Sequence, residues 1–342
     1  MTTPTSPTPT TPSTPNVRPL TLTALALTAA VTAAGCGGPG SSSPHETGTT
    51  SAAPVLHTFT SGQAGFDTHS YWLDTGRAVV VFDAQFTEDL ARALLADIDA
   101  HTKSPITHVI ITHPNPDKFN GVGPLRARGA KVVASAATAA AIPGVHAYKK
   151  YFFVTMAKMF TDASYPPEAT VDITFSGDYQ LPASVGADIR LHELSNPGVS
   201  STQTVAWLPA QRALIVGDLV HHQAHAWLEG GIVDGKPRPD LAAWRRALAE
   251  LTAFDGATVY GGRGVPAPVA TAVAAETAYL TRAEELVTEY LASLPDPRAA
   301  TDPASPSAGE HHAALQERFA AAFPDYQLPY MIGYGIYGLL AR

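Results

Sequence analysis

Apolar residues along this 342-residue chain fall into short runs separated by turn residues, and the runs alternate between two spacings. His57 to Phe59, Ser70 to Asp74 and Ala78 to Phe82 have the β-branched and aromatic composition of strands, and Thr75-Gly76 predicts a hairpin turn between the last two. From Thr87 to Ala100 the spacing changes: Leu90, Leu94 and Ile98 recur every fourth residue, which predicts a helix with Thr87 as its N-cap. Ile106 to Thr112 is an apolar, β-branched run with the length of a buried strand, and His113-Pro114-Asn115-Pro116-Asp117-Lys118 stops it. Two prolines so close together predict a stiff loop, neither strand nor helix, that holds its polar side chains at the strand end. Functional residues concentrate on such loops.

The alternation continues downstream. A turn of helix from Pro124, a short strand at Lys131 to Val133 and an alanine-rich helix to Ala141 precede a second helix over Val145 to Phe160, ended by Tyr165-Pro166-Pro167. Strands are predicted at Val171 to Phe175, Ile189 to Leu194, Thr204 to Leu208 and Ala213 to Val216. Asp240 caps a helix to Ala253, Ala257 to Tyr260 is a strand, and Gly261-Gly262-Arg263-Gly264 is a glycine loop. Ala267 to Leu294 reads as a long helix, Pro295 to Ser307 as a loop, and a helical pair follows from Glu310. Tyr330, Tyr334 and Tyr337 share one helical face, which either lines an aromatic substrate pocket or, the expectation taken here, packs on the domain with its hydroxyls bonded to water or backbone.

Composition adds an export signal and removes one class of partner. Residues 1–17 are almost all Thr, Pro and Ser; Arg18 and an apolar segment from Leu20 to Ala34 follow, ending in Ala33-Ala34-Gly35-Cys36. That order describes a secretory signal rather than a membrane span, which needs about 20 apolar residues. Cys36 is the only cysteine, placed where a bacterial lipoprotein signal resembling this one is cut and the thiol acylated. The chain thus divides into a signal peptide with its Thr/Pro-rich start (1–35), a lipid-anchored tether (36–55), a folded domain (56–266) and a helical extension packed on it (267–342), on the outer face of the cytoplasmic membrane. The net charge of −8, with Lys and Arg scattered, gives no phosphate-binding stripe, so the expected partners are a small molecule and the membrane through lipid on Cys36, not nucleic acid. The sequence says nothing of oligomeric state.

The stretch from His113 to Lys118 resembles the His-x-His-x-Asp-His signature of the metallo-β-lactamase superfamily, whose members clamp one or two zinc ions, or iron, on that loop. Here it reads His-x-Asn-x-Asp-Lys. Val79 to Ala84 resembles that superfamily's early strand ending in an Asp, and Ala213 to Asp218 resembles the strand that delivers an Asp bridging two metals. The resemblance implies an α/β (α+β) fold, a four-layer αββα sandwich with added C-terminal helices. Following its strand order, seven positions of the metal site can be placed. His113, Asp117 and Asp218 are kept as metal ligands, an incomplete set; Asn115, Lys118, Val199 and Arg263 stand where histidines would.

Zinc takes thiolate, imidazole or carboxylate, and a catalytic zinc keeps three protein ligands. Valine, arginine and ammonium offer no lone pair. Zinc binding is therefore expected to be weak or absent. Lys118 and Arg263 either replace the metals as partners of Asp117 and Asp218 or point to solvent. His221 and His225, with His222 between them, have the spacing that puts two imidazoles on one helical face; they are either substitute ligands or loop residues at the pocket mouth. Two functions remain open. One is a hydrolase-like lipoprotein, acting if active on an ester, lactone, thioester or amide, with Asp117 and Lys118 as candidate catalytic groups. The other is a non-catalytic protein that binds a small anion between Lys118 and Arg263.

Overall fold

The structure, a computed structural model, describes residues 53–340. The leader, Cys36 and most of the tether lie outside the described residues. The first half contains β1 (Val55–Thr60), β2 (His69–Asp74), β3 (Val79–Phe82), α1 (Glu88–His101), β4 (Ile106–Ile110), α2 (Pro116–Phe119), α3 (Val122–Ala127), β5 (Lys131–Ser135), α4 (Ala136–Tyr151) and β6 (Ile173–Phe175). The second half has β7 (Asp178–Gln180), β8 (Arg190–Glu193), β9 (Thr204–Leu208), β10 (Ala213–Gly217), β11 (Gly231–Val233), β12 (Lys236–Arg238), α5 (Leu241–Glu250), β13 (Thr258–Gly261) and β14 (Ala267–Pro268). It ends in α6 (Val269–Ala292), α7 (Arg298–Thr301), α8 (Ala308–Ala322) and α9 (Met331–Leu340).

Among the described residues two six-stranded sheets form, in the orders β1-β2-β3-β4-β5-β6 and β14-β13-β10-β9-β8-β7, beside the small β11-β12 hairpin. Successive side chains of a strand point to opposite faces, so each buried strand feeds two cores. Tyr71, Leu73, Val80, Phe82 and Ile110 of the first sheet meet Leu191, Ala206, Ala213 and Ile215 of the second. Their neighbours Trp72, Val79, Val81 and Val109 face outward, onto Leu94 and Ile98 of α1 and Ile142 of α4. On the far side Val205, Leu214, Val216 and Val259 pack with Trp244, Tyr279, Phe319 and Ile336 of the later helices. The result is the expected four layers, helix, sheet, sheet, helix, with the C-terminal helices in the outer layer of the second sheet. No helix among the described residues is long and apolar enough to cross a membrane.

Local expectations hold where one force acts alone. Thr87 caps α1 by accepting from the Leu90 amide at 3.2 Å, and Asp240 caps α5 by accepting from Ala243 at 2.8 Å. Two helix boundaries differ. The helix expected from Val145 begins at Ala136 and passes through Pro143, because the buried stripe Thr138, Ile142, Val145, His146 and Lys149 continues at helical spacing across the proline. Burial there outweighs the one backbone hydrogen bond that proline removes. That helix gives way to a π-helical turn at Phe152–Met156, short of the expected end at Phe160. The strand β7 and the β11-β12 hairpin, three residues per strand, are too short to show a period and were not foreseen.

Candidate functional site

Parallel pairing of β3 with β4 and of β10 with β13 brings the C-terminal ends of these strands to one place. Asp83 follows β3, Thr112 to Lys118 follow β4, Asp218 follows β10, and Gly262-Arg263 follow β13. The β1-β2 connection adds Phe66 and Thr68. The proline loop contains a short helix after all: Pro116 occupies the first helical position of α2, where its missing amide hydrogen costs nothing, and Asp117 and Lys118 lie in that single turn. Glycine makes the convergence close enough. A Cβ at Gly262 would collide with Asp218 Oδ1, and one at Gly217, whose φ is +52°, with Thr112 Oγ1.

Four charged side chains meet there, all buried. Lys118, with no exposed side-chain surface, places Nζ 2.8 Å from Asp117 Oδ2 and 2.8 Å from Asp218 Oδ1. Arg263 donates from one terminal nitrogen to Asp218 Oδ2 at 2.7 Å and from the other to Asp117 Oδ2 at 3.0 Å. Its remaining donors reach the Phe66 carbonyl at 2.6 Å and Thr68 Oγ1 at 2.8 Å, while the Thr68 hydroxyl donates to Asp117 Oδ2 at 2.7 Å. Two cations and two carboxylates thus alternate around one ring. Burial alone would raise both carboxyls. Lys118 and then Arg263 outweigh it at Asp117, which falls to about 2, and Arg263 and then Lys118 hold Asp218 well below the ordinary carboxylate range. In turn, burial would discharge Lys118, but Asp117 and Asp218 keep it protonated and raise it.

A second chain of polar groups backs this ring. His113 places Nε2 3.6 Å from Asp218 Oδ2 and pairs Nδ1 with Thr112 Oγ1 at 2.9 Å; Thr112 Oγ1 lies 2.9 Å from Asp83 Oδ2. Burial pushes the Asp83 carboxyl up to about 6, against the pull of Lys118 and His113. Above the ring is a cavity of about 20 Å³, bordered by Asn115, Asp117, Asp218, Lys149, Trp227 and Arg263. Such a volume holds about one water molecule. Aromatic rings close it from outside: Phe66 contacts Phe86, Phe153 and Trp227 at centroid distances of 5.0, 5.9 and 5.6 Å, and Tyr334 of α9 stacks on Trp227 at 5.1 Å.

The remaining candidates are elsewhere. Val199 is fully buried in the apolar core beneath the second sheet rather than on the cavity, as an apolar side chain on a short inter-strand loop would be. His221 and His225 do not share a helical face, because Gln223 between them has φ of +62° and the segment is a turn. His221 is buried with Nδ1 3.6 Å from Glu276 of α6, His222 Nδ1 lies 3.2 Å from the Val265 carbonyl, and His225 pairs with the Tyr279 hydroxyl at 3.1 Å. None of the three borders the cavity. Sequence reasoning missed Thr68 and the Phe66 carbonyl, which are far along the chain from Asp117 and Arg263 and belong to no motif. It also missed a buried knot in which Glu229 accepts from Lys149, Tyr337 and, at 2.8 Å, Trp227 Nε1. Two of the three tyrosine hydroxyls bond to carboxylates rather than to backbone: Tyr337 of α9 to Glu229, and Tyr330, just before α9, to Asp67 at 2.7 Å.

The donor set does not suit a metal ion. Both oxygens of Asp218 and Oδ2 of Asp117 are already taken by ammonium and guanidinium donors. Among the described residues no group of three or more His, Cys, Asp or Glu side chains is placed to hold one. The same saturation leaves neither Lys118 nor Arg263 free for an incoming anion.

A family model described as the metallo-beta-lactamase superfamily matches residues 64–263. A curated relative, a metallo-beta-lactamase type 2 of Bacillus cereus, is 31% identical over 103 residues, which are 28% of this chain and 40% of that protein. The match therefore spans less than half of the relative's length. Among solved structures, a metallo-beta-lactamase from Pontibacter korlensis superposes with a TM-score of 0.51 at 21% identity, covering 68% of this chain and 96% of that one, a likeness of fold.

Proposed function

The chain belongs to the metallo-β-lactamase superfamily, and from that premise we propose a hydrolase-like surface lipoprotein whose metal ions are replaced by the side-chain cations Lys118 and Arg263. One observation carries this reading: each cation bridges both Asp117 and Asp218, at 2.7 to 3.0 Å, inside the protein. Two buried carboxylates need two compensating positive charges, and here the chain supplies them itself. Metal-bound hydroxide, the nucleophile that metal-ion hydrolysis requires, has no ligands to form on. Space points the same way, since the cavity beside the carboxylates admits about one water and no organic substrate.

Hydrolysis of a panel of ester, lactone, thioester and amide substrates, a β-lactam among them, tests the reading with and without added zinc. Rates at the buffer background under both conditions are expected. Zinc-dependent turnover that disappears in Asp218→Asn would overturn it. Export and anchoring through Cys36 form the second half of the proposal, supported by the lone cysteine at the end of a signal-like segment. Cys36→Ser is expected to move the folded protein from the membrane fraction to the soluble one, and an unmodified Cys36 in mass spectra of the membrane-extracted protein would sink that half alone.

A further inference from the structure

Large apolar side chains exposed on the described surface gather in one stretch. Tyr151, Met156 and Met159 are 59%, 63% and 46% exposed, whereas the other two, Val55 and Val233, lie far from it along the chain. Tyr151 and Met156 edge an open groove of about 630 Å³ between the end of α4, the π-helical turn and α9, bordered also by Tyr148, Phe152, Tyr334 and Tyr337. Gly333 of α9 contributes a place without a side chain. The volume falls in the range of about 300 to 1,000 Å³ typical of small-molecule sites.

Charge decides the class of ligand. Among the described residues no Lys, Arg, Asp or Glu borders the groove, and the imidazole of His312 there is held below its ordinary value by burial and by the neighbouring His311, so it is neutral at pH 7. The hydroxyls of Tyr337 and Tyr148 are engaged with Glu229. An ionic ligand would lose its hydration with nothing to replace it. Beside the hydroxyls of Tyr151 and Tyr334, what the groove offers is ring faces and a thioether, and these favour a ring partner. Tyr334, stacked on Trp227 with the planes 10° apart, is fixed before any ligand arrives, which lowers the entropy cost of binding. We infer that this groove binds an uncharged, planar aromatic small molecule. The inference goes beyond the proposed function and does not depend on whether the cluster at Asp117 and Asp218 takes a metal.

The test is a fluorescence titration of the full chain with N-phenyl-1-naphthylamine, an uncharged arylamine. Saturable one-to-one binding is expected. Gly333→Leu should fill the groove, and it should fold, since a Cβ there meets only the tip of the Gln316 side chain at 3.2 Å and glycine is a poor helix former. It is expected to weaken the dye about tenfold or more. Met156→Lys, at an exposed position, should weaken it in the same direction and decides the matter if the glycine variant does not fold. Non-saturable emission, or undiminished affinity in folded variants, overturns the inference. So does co-sedimentation of the protein with phosphatidylglycerol vesicles that Met156→Lys abolishes, in the absence of saturable dye binding, since the exposed stretch would then be a membrane-facing patch.

Discussion

Replacing Lys118 with methionine removes one positive charge and keeps most of the stem volume, so its cost isolates the ionic bonds. In the native protein Nζ lies 2.8 Å from a carboxylate oxygen of Asp117 and 2.8 Å from one of Asp218, with no exposed side-chain surface. After substitution, Arg263 alone faces two buried carboxylates. An exposed ion pair contributes about 0 to 1 kcal/mol, but removing one partner of a buried pair costs about 3 to 5 kcal/mol. The full burial of this ring places Lys118→Met in the second range, a large share of the roughly 5 to 15 kcal/mol that keeps a domain folded. Urea unfolding followed by far-ultraviolet circular dichroism measures it. pH supplies an internal check. In the native protein Asp117 and Asp218 titrate below their ordinary value of 3.8, so the stability they contribute is complete above that value and is lost as pH falls towards about 2. In Lys118→Met an uncompensated carboxyl titrates above 3.8 instead, so as pH falls from 7 to about 4.5 the variant gains more stability than the parent, whose own gain comes from the buried Asp83 carboxyl at about 6. A cost below about 1 kcal/mol at pH 7, or one that does not shrink towards pH 4.5, would refute the picture of a buried, mutually compensated ring.

Other perturbations probe the same ring and its surroundings. Gly262→Ala, which drives a Cβ into Asp218 Oδ1, should lower stability by about 1 to 3 kcal/mol in the same urea assay, whereas alanine at the exposed, unconstrained Gly309 should not. Tyr337→Phe removes a donor to the buried Glu229 and should cost about 1.5 to 3 kcal/mol, with no change in the acid stability contributed by Asp117 and Asp218. Lys118→His with Arg263→His puts imidazoles where both cations were, and calorimetric titration should then show zinc uptake that the parent lacks, because His113, Asp117 and Asp218 are already delivered to one place by β4, α2 and β10.

The layers of the fold were legible because burial on both sheet faces writes itself into the strands: Val79 to Phe82 and Ala213 to Gly217 are apolar throughout and alternate between two cores. Helix starts were legible where a side chain caps them, as at Thr87 and Asp240. Proline misled twice, at Pro116, which opens a helix, and at Pro143, which lies within one, since its penalty depends on position and on what the helix buries. At the site, the pairing of Lys118 and Arg263 with two aspartates, one of the two readings left open, followed from charge balance at positions that the family resemblance had placed. Phe66, Thr68 and the aromatic closure from α9 did not, because those contacts join residues remote in sequence whose types carry no spacing signal. The His221 to His225 spacing suggested a helical face that the left-handed backbone at Gln223 forbids, and no residue pattern announces that turn.

Elemental analysis of protein purified without chelator bears most directly on the replacement of metal by side-chain cations. If Lys118 and Arg263 hold Asp117 and Asp218 as described, zinc and iron will be far below one per chain, also after incubation with excess zinc and desalting. Stoichiometric metal that survives desalting and is lost in Asp218→Asn would contradict it.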